Sequence, residues 1–154
     1  MKIVLDTSAL LLGKPLPPNF EYYAPPKVME EIEKKLGTSP MEIFVMVPEK
    51  EFMDKVVEIA KKSGDYAKLS EADLEVLALA LQLNACILTE DFSIQNVASL
   101  LGIKFYGDKE IKEVRRWVFR CTGCGRYFDD FVEICPYCGH EVKRTRRRKK
   151  QEIP

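Results

Sequence analysis

Histidine is nearly missing from this 154-residue chain, and the one present, His140, stands close to its C-terminal end. The long stretch before it therefore has no imidazole to act as general acid, general base or metal ligand, which argues against imidazole chemistry there. Long apolar runs are missing too: no stretch approaches the ~18 residues of a membrane-spanning helix, so no membrane partner is expected. No G-x-G-x-x-G or Walker pattern follows a strand-like run, and dinucleotide and nucleoside triphosphate binding are left without support. The N-terminus carries no secretory pattern, because Lys2-Ile3-Val4-Leu5 runs straight into Asp6. A reducing, cytoplasmic setting is the expectation, and it suits free thiolates.

Net charge is also zero, with 24 Lys and Arg against 24 Asp and Glu, but the balance conceals a separation. Residues 1–107 hold 11 Lys and Arg against 16 Asp and Glu, a net charge of −5, whereas K-R-T-R-R-R-K-K at 143–150 adds +7. An acidic body thus carries a basic tail, which reads either as a solvated, disordered end or as a phosphate-binding segment. Cysteine is used in one place. Four of the five form two C-x-x-C knuckles, Cys121-Thr-Gly-Cys124 and Cys135-Pro-Tyr-Cys138. Four thiolates at about 2.3 Å complete a tetrahedral shell with no open position, so the pattern points to one structural Zn²⁺ per chain. Gly125 and Gly139 follow the knuckles, where positive φ lets the chain curl its amides toward the sulfurs. Two disulfides, a redox pair or free thiols are the competing readings, and the doubled spacing favours the metal.

Apolar periodicity places strands at Lys2–Leu5, Phe20–Ala24, Ile43–Val47, Ala85–Leu88 and Ile103–Tyr106. Helices fall between them at 9–12, 26–36, 49–62, 70–83 and 92–101, with Gly37, Gly64 and Gly102 as stops. Short unbroken apolar strands alternating with helices predict an α/β/α sandwich around a central parallel sheet. The division expected is a main domain at 1–107, a charged connector at 108–116 read as a short helix, a zinc ribbon at 117–142 and the tail at 143–154.

Four acids stand where such a sheet gathers ligands, at the carboxyl ends of its strands. Asp6 ends the first strand, Glu31 lies in the second helix, Asp73 opens the fourth, and Asp91 follows the fourth strand. On a helical wheel Val28, Met29, Ile32 and Leu36 share one arc with Glu31 on its shoulder, while Glu30 points away. Each acid also has an ordinary structural reading. Asp6 and Asp91 can be helix caps, Asp73 can close a capping box with Ser70, and Glu31 can be a solvated helix residue. Gathered together without His or Cys, they form an oxygen-ligand set for a hard divalent cation, Mg²⁺ or Mn²⁺.

V-L-D-T-S-A at 4–9, P-x-V-M-E-E-I at 26–32, L-S-E-A-D-L-E-V-L-A-L-A at 69–80 and I-L-T-E-D-F at 87–92 together resemble the PIN-domain ribonucleases. The resemblance covers residues 1 to about 107. With D-F-S-I-Q-N-V-A-S-L-L-G-I and the ribbon added, it resembles the Nin-one-binding branch, which cuts the 3′ end of small-subunit ribosomal RNA from its precursor. This implies that Asp6, Glu31, Asp73 and Asp91 hold the catalytic cation, with Thr7, Ser8 and Thr89 orienting them. It also implies precursor rRNA, the pre-ribosomal particle and its assembly factors as partners. Glu90, a fifth carboxylate beside Asp91, receives no role. Trp117, Phe119, Tyr127, Phe128, Phe131 and Tyr137 interleave with Arg120 and Arg126, a mixture suited to stacking unpaired bases, although at least half are expected to fill the ribbon's small core. The alternatives are a non-catalytic RNA-binding assembly factor and a toxin-type PIN ribonuclease, the latter leaving the ribbon unexplained.

Overall fold

The computed structural model describes residues 1–11, 16–37, 42–111, 114 and 117–146. Strand β1 (Lys2–Leu5) is rich in branched side chains, and Val4 and Leu5 are wholly buried, as befits a central strand covered on both faces. It is followed by α1 (Thr7–Leu11), β2 (Glu21–Ala24), α2 (Pro26–Leu36) and β3 (Phe44–Val45). Next come α3 (Lys50–Ser63), a 3₁₀ turn (Tyr66–Lys68), α4 (Glu71–Leu83), β4 (Cys86–Leu88), α5 (Phe92–Leu101) and β5 (Phe105–Tyr106). All five strands are parallel, in the order β3-β2-β1-β4-β5.

That order reverses direction between β1 and β4. Right-handed crossovers consequently send the early and late helices to opposite faces, and α1 packs with α2 while α3, α4 and α5 pack with one another. The apolar arc of α2 faces inward, with Val28 and Ile32 fully buried. Helix α4 is apolar nearly all round, with Val76, Leu77, Ala78, Leu79 and Ala80 fully buried, so it is an internal helix rather than an amphipathic one. Pro26 opens α2, and Gly37, Gly64 and Gly102 end α2, α3 and α5 at φ of 77°, 87° and 73°, where a side chain would be strained.

The C-terminal module is a three-stranded antiparallel sheet, β7-β6-β8, of β6 (Trp117–Cys121), β7 (Tyr127–Phe128) and β8 (Val142–Arg146). Phe119, Cys121, Cys135 and Val142 make its core, with Phe128 and Val132 packed against them. Two expectations need correction. The connector is irregular at 108–111 and 114, where a short helix was expected, and 112–113 and 115–116 lie outside the described residues. The tail does not begin at 143 either: Lys143, Arg144, Thr145 and Arg146 pair with Arg120, Phe119, Val118 and Trp117. Their run of charge suggests solvated chain, but pairing along β6 overrides composition in a strand whose partner is already fixed. The rest of the tail, 147–154, lies outside the described residues.

Candidate active site and metal knuckle

The reversal between β1 and β4 opens a crevice at their carboxyl ends, the position where parallel sheets bind ligands. Leu5 pairs with Leu88, so Asp6 and Thr89 leave the sheet side by side. Asp6 is 5% exposed, and three local donors meet its oxygens. Oδ1 accepts the Thr7 amide at 2.9 Å, and Oδ2 accepts the hydroxyls of Ser8 at 2.8 Å and Thr89 at 2.7 Å. Burial pushes the Asp6 carboxyl above its usual range against the pull of these donors, and the charge of Asp91 adds to the rise.

Asp91 caps α5, accepting the amides of Ser93 at 2.8 Å and Ile94 at 3.3 Å, and its own amide donates to Thr89 Oγ1 at 3.0 Å. Asp73 closes a capping box at the start of α4, where Ser70 N donates to Asp73 Oδ2 at 2.8 Å and Asp73 N to Ser70 Oγ at 3.1 Å. Burial raises the Asp73 carboxyl too, with Asp6 and Asp91 as the charges that reinforce it. Capping and site membership are therefore compatible for these two acids, since the cap fixes the carboxylate that the crevice then shares. Glu31 projects from α2 and is exposed, yet it accepts Thr7 Oγ1 at 2.8 Å. The three hydroxyls of Thr7, Ser8 and Thr89 each bond a carboxylate of the set.

Among the described residues none of the four acids is ion-paired with Lys or Arg. They do not close to the spacing of the sulfur cluster described below, as befits like charges each held by its own cap or hydroxyl. Uncompensated carboxylates, two of them with raised affinity for protons, are oxygen donors of the chemistry that a hard divalent cation takes. Glu90, next to Asp91, turns its carboxylate away toward the amides of Asp108 and Lys109.

In the ribbon, the ligand sulfurs of Cys121, Cys124, Cys135 and Cys138 all lie within 4.8 Å of one another. Sγ of Cys121 and Cys138 are 3.2 Å apart and those of Cys124 and Cys135 3.8 Å, against a tetrahedral edge of roughly 3.8 Å for sulfurs about 2.3 Å from zinc. Gly125 and Gly139 adopt φ of 78° and 79°, as each knuckle requires. Burial raises the Cys121 thiol, but donors from Cys124, Cys138 and Gly123 outweigh it and draw it down to about 6, whereas at Cys124 the Arg126 amide is outweighed by burial and the neighbouring sulfurs, which push the thiol up to about 11. His140 Nδ1 lies 3.3 Å from Cys138 Sγ.

Trp117, expected among the base-stacking aromatics, instead packs against the main domain. A Cβ built on Gly64 would meet Trp117 Cβ at 2.4 Å, and the Arg144 guanidinium lies 4.0 Å from the indole centroid. Arg144 Nη1 also bonds Asp65 Oδ1 at 3.1 Å and the Gly64 carbonyl at 3.3 Å. Asp65 is 1% exposed, and its Oδ2 accepts Ser63 Oγ and Asn96 Nδ2. No sequence motif singles out this contact, because its halves lie 79 residues apart. Phe119 and Phe128 belong to the ribbon core. Tyr127, Phe131 and Tyr137 stay exposed, with Arg120 over the Tyr127 ring and Arg126 over that of Tyr137.

Residues 3–83 match the family model of the PIN domain of ribonuclease. Endoribonuclease Nob1 of Pyrococcus abyssi is 40% identical over 160 residues, which cover 97% of this chain and 97% of that protein. Ribonuclease VapC1 of Thermoplasma acidophilum is 42% identical over 99% of this chain and 82% of its own length. The 20S-pre-rRNA D-site endonuclease nob1 of Schizosaccharomyces pombe is 35% identical over 88 residues, or 53% of this chain and 23% of that protein. The two archaeal alignments run through main domain and ribbon alike, so the likeness extends to the order of the modules. The chain belongs to the PIN-domain ribonucleases, metal-dependent nucleases, and within them to the Nob1 type of endoribonuclease.

Proposed function

We propose that this protein is the endoribonuclease that cuts precursor small-subunit rRNA at its 3′ end during ribosome assembly in the cytoplasm. The observation that carries the reading is the buried Asp6, fixed at the sheet reversal by three donors and sharing its crevice with Asp73 and Asp91. In this reading Asp6, Glu31, Asp73 and Asp91 hold Mg²⁺ or Mn²⁺. When bound, such a cation lowers the pKa of a water and stabilises charge on the leaving oxygen of a phosphodiester. Thr7, Ser8 and Thr89 fix the carboxylates in advance, which spares the site reorganisation during the reaction. Names of relatives support the substrate: one acts on 20S pre-rRNA at the D site, and several archaeal ones are endoribonucleases of the same type.

The ribbon, closed by one structural zinc, supplies RNA affinity that an acidic crevice lacks. A cleft of about 510 Å³ beside the first knuckle is lined by Arg120 and Lys143 together with Cys121–Gly125, the Arg144 guanidinium being committed to Asp65, and the exposed Tyr127 and Tyr137 lie under arginines. Such a surface suits phosphates and unstacked bases. The VapC1 relative aligns through the ribbon as well, so its name does not favour a toxin lacking one.

The test is incubation of the protein with a precursor spanning the rRNA 3′ end, with Mn²⁺ or Mg²⁺, against Asp6→Asn. Cleavage at one position that stops in the variant and in EDTA is expected. Specific RNA binding without cleavage by the wild-type protein would favour the non-catalytic assembly factor, and cleavage of unrelated RNAs at equal rates would favour the toxin-type nuclease.

A further inference from the structure

Glu90 is the acid to which neither sequence motif nor family likeness gives a task. It sits in the turn between β4 and α5, between Thr89, which bonds Asp6, and Asp91. Its amide donates to Ser8 Oγ at 3.1 Å, the same hydroxyl that donates to Asp6. Its carboxylate reaches the opposite way: Oε1 accepts the Asp108 amide at 2.6 Å and Oε2 the Lys109 amide at 3.2 Å. Both oxygens are thus engaged with the connector that leads to the ribbon, and two amide donors offset a negative charge that would otherwise add to the crevice.

Gln95, one turn into α5 and wholly buried, grips the same segment. Its Nε2 donates to the Thr89 carbonyl at 3.2 Å and the Lys109 carbonyl at 2.9 Å, while its Oε1 accepts the Ile111 amide at 2.9 Å. A buried carboxamide that satisfies backbone groups on two segments leaves neither free to move alone. Gly107 brings the two backbones together. A Cβ there would stand 2.4 Å from the Thr89 carbonyl oxygen, 3.1 Å from Gln95 Nε2 and 3.3 Å from Glu90 Oε1. The chain leaving β5 therefore lies directly on the turn that presents Thr89 and Asp91.

We propose that Glu90 and Gln95 are positioning residues that clamp the 107–111 connector to the Thr89–Asp91 turn and so couple ribbon placement to the geometry of the cation site. Glu90 is not a fifth cation ligand. The coupling rests on the cation site proposed above, and the experiment separates the two. In the full-length, zinc-loaded protein, Glu90→Ala removes the acceptors, and Gly107→Ala pushes the connector off while leaving every acid in place. Free Mn²⁺ measured by electron paramagnetic resonance gives affinity and stoichiometry. Amide exchange at 107–111 reports the clamp, and steady-state cleavage separates kcat from KM.

Both variants should lose exchange protection at Asp108 and Lys109 and keep the wild-type number of bound Mn²⁺. Mn²⁺ affinity and kcat should each fall about tenfold, with KM for RNA nearly unchanged. Loss of a bound Mn²⁺ in Glu90→Ala would make Glu90 a ligand and overturn the proposal. So would unchanged Mn²⁺ affinity and kcat in Gly107→Ala despite faster exchange, because the connector would then be uncoupled from the site. If the wild-type protein cleaves no RNA, the Mn²⁺ and exchange measurements still decide the clamp, while the proposed activity fails separately.

Discussion

Arg144→Ala tests whether the ribbon is built onto the main domain or merely linked to it. The guanidinium bonds Asp65 and the Gly64 carbonyl and covers the Trp117 ring. Removing one member of a fully buried ion pair costs about 3–5 kcal/mol. Here the loss is smaller, because the Arg144 side chain is 20% exposed and Asp65 retains the hydroxyl of Ser63 and the carboxamide of Asn96. About 2 kcal/mol is a fair expectation, including the stacking on Trp117. At about 2–4 °C per kcal/mol for a chain of this length, the melting temperature should drop by ~4–8 °C. Calorimetry of the zinc-loaded protein measures it, and a cycle with Asp65→Asn should yield a coupling of at least about 1 kcal/mol. A shift under about 1 °C, or strictly additive single effects, would refute the contact as a structural joint.

Acidity makes a second test. Asp6 and Asp73 have folded pKa values above the ordinary 3.8, so between that value and their raised ones the native chain holds protons that the unfolded chain has released. Stability of the protein kept free of Mg²⁺ and Mn²⁺ but with its ribbon zinc in place should therefore fall as pH rises through that window, and Asp6→Asn should flatten the fall; an identical pH slope in the variant would remove the assignment. Mn²⁺ competes with those protons, so its affinity should rise over the same interval. Zinc analysis of freshly purified protein should return one ion per chain, and Cys121→Ser should unfold the ribbon while the helical signal of the main domain persists at a lowered melting temperature, since Asp65 loses its partner. Deletion of 147–154 should weaken RNA binding and flatten its log–log salt slope by up to about 3, at about 0.7 per phosphate contact, for correct and scrambled RNA alike. An unchanged slope would leave RNA binding to the described surface.

Much of this architecture is legible in the residues themselves. Strand β1, helices α2 and α5 and the capping box of Ser70 and Asp73 all sit where local pattern puts them, because branched runs, Pro–Gly punctuation and caps act over a few residues. The hydroxyls bonding Asp6 and Glu31 are adjacent to carboxylates in sequence or in register, so they too can be anticipated. Long-range pairings are different. That Arg144 serves Asp65 depends on how two modules dock, and that Glu90 serves the amides of Asp108 and Lys109 on where the chain runs after β5, neither of which leaves a periodicity in its segments. The start of the tail is illegible for a related reason, since a strand of lysine and arginine owes its existence to β6 rather than to its own composition.

The register of β8 on β6 sets the ribbon's two fixed points at opposite ends of one strand. Arg146 pairs with Trp117, the residue seated on Gly64, so the chain leaves the ribbon next to the main domain and far along β6 from the cysteine Cys121 at its other end. Trp117 and Cys121 are four residues apart in β6, roughly 13 Å of extended strand, so the seat on Gly64 and the first knuckle are held at a set separation. Strand β6 is thus a strut, and whatever shifts its Trp117 end on the main domain carries the sulfur cluster with it.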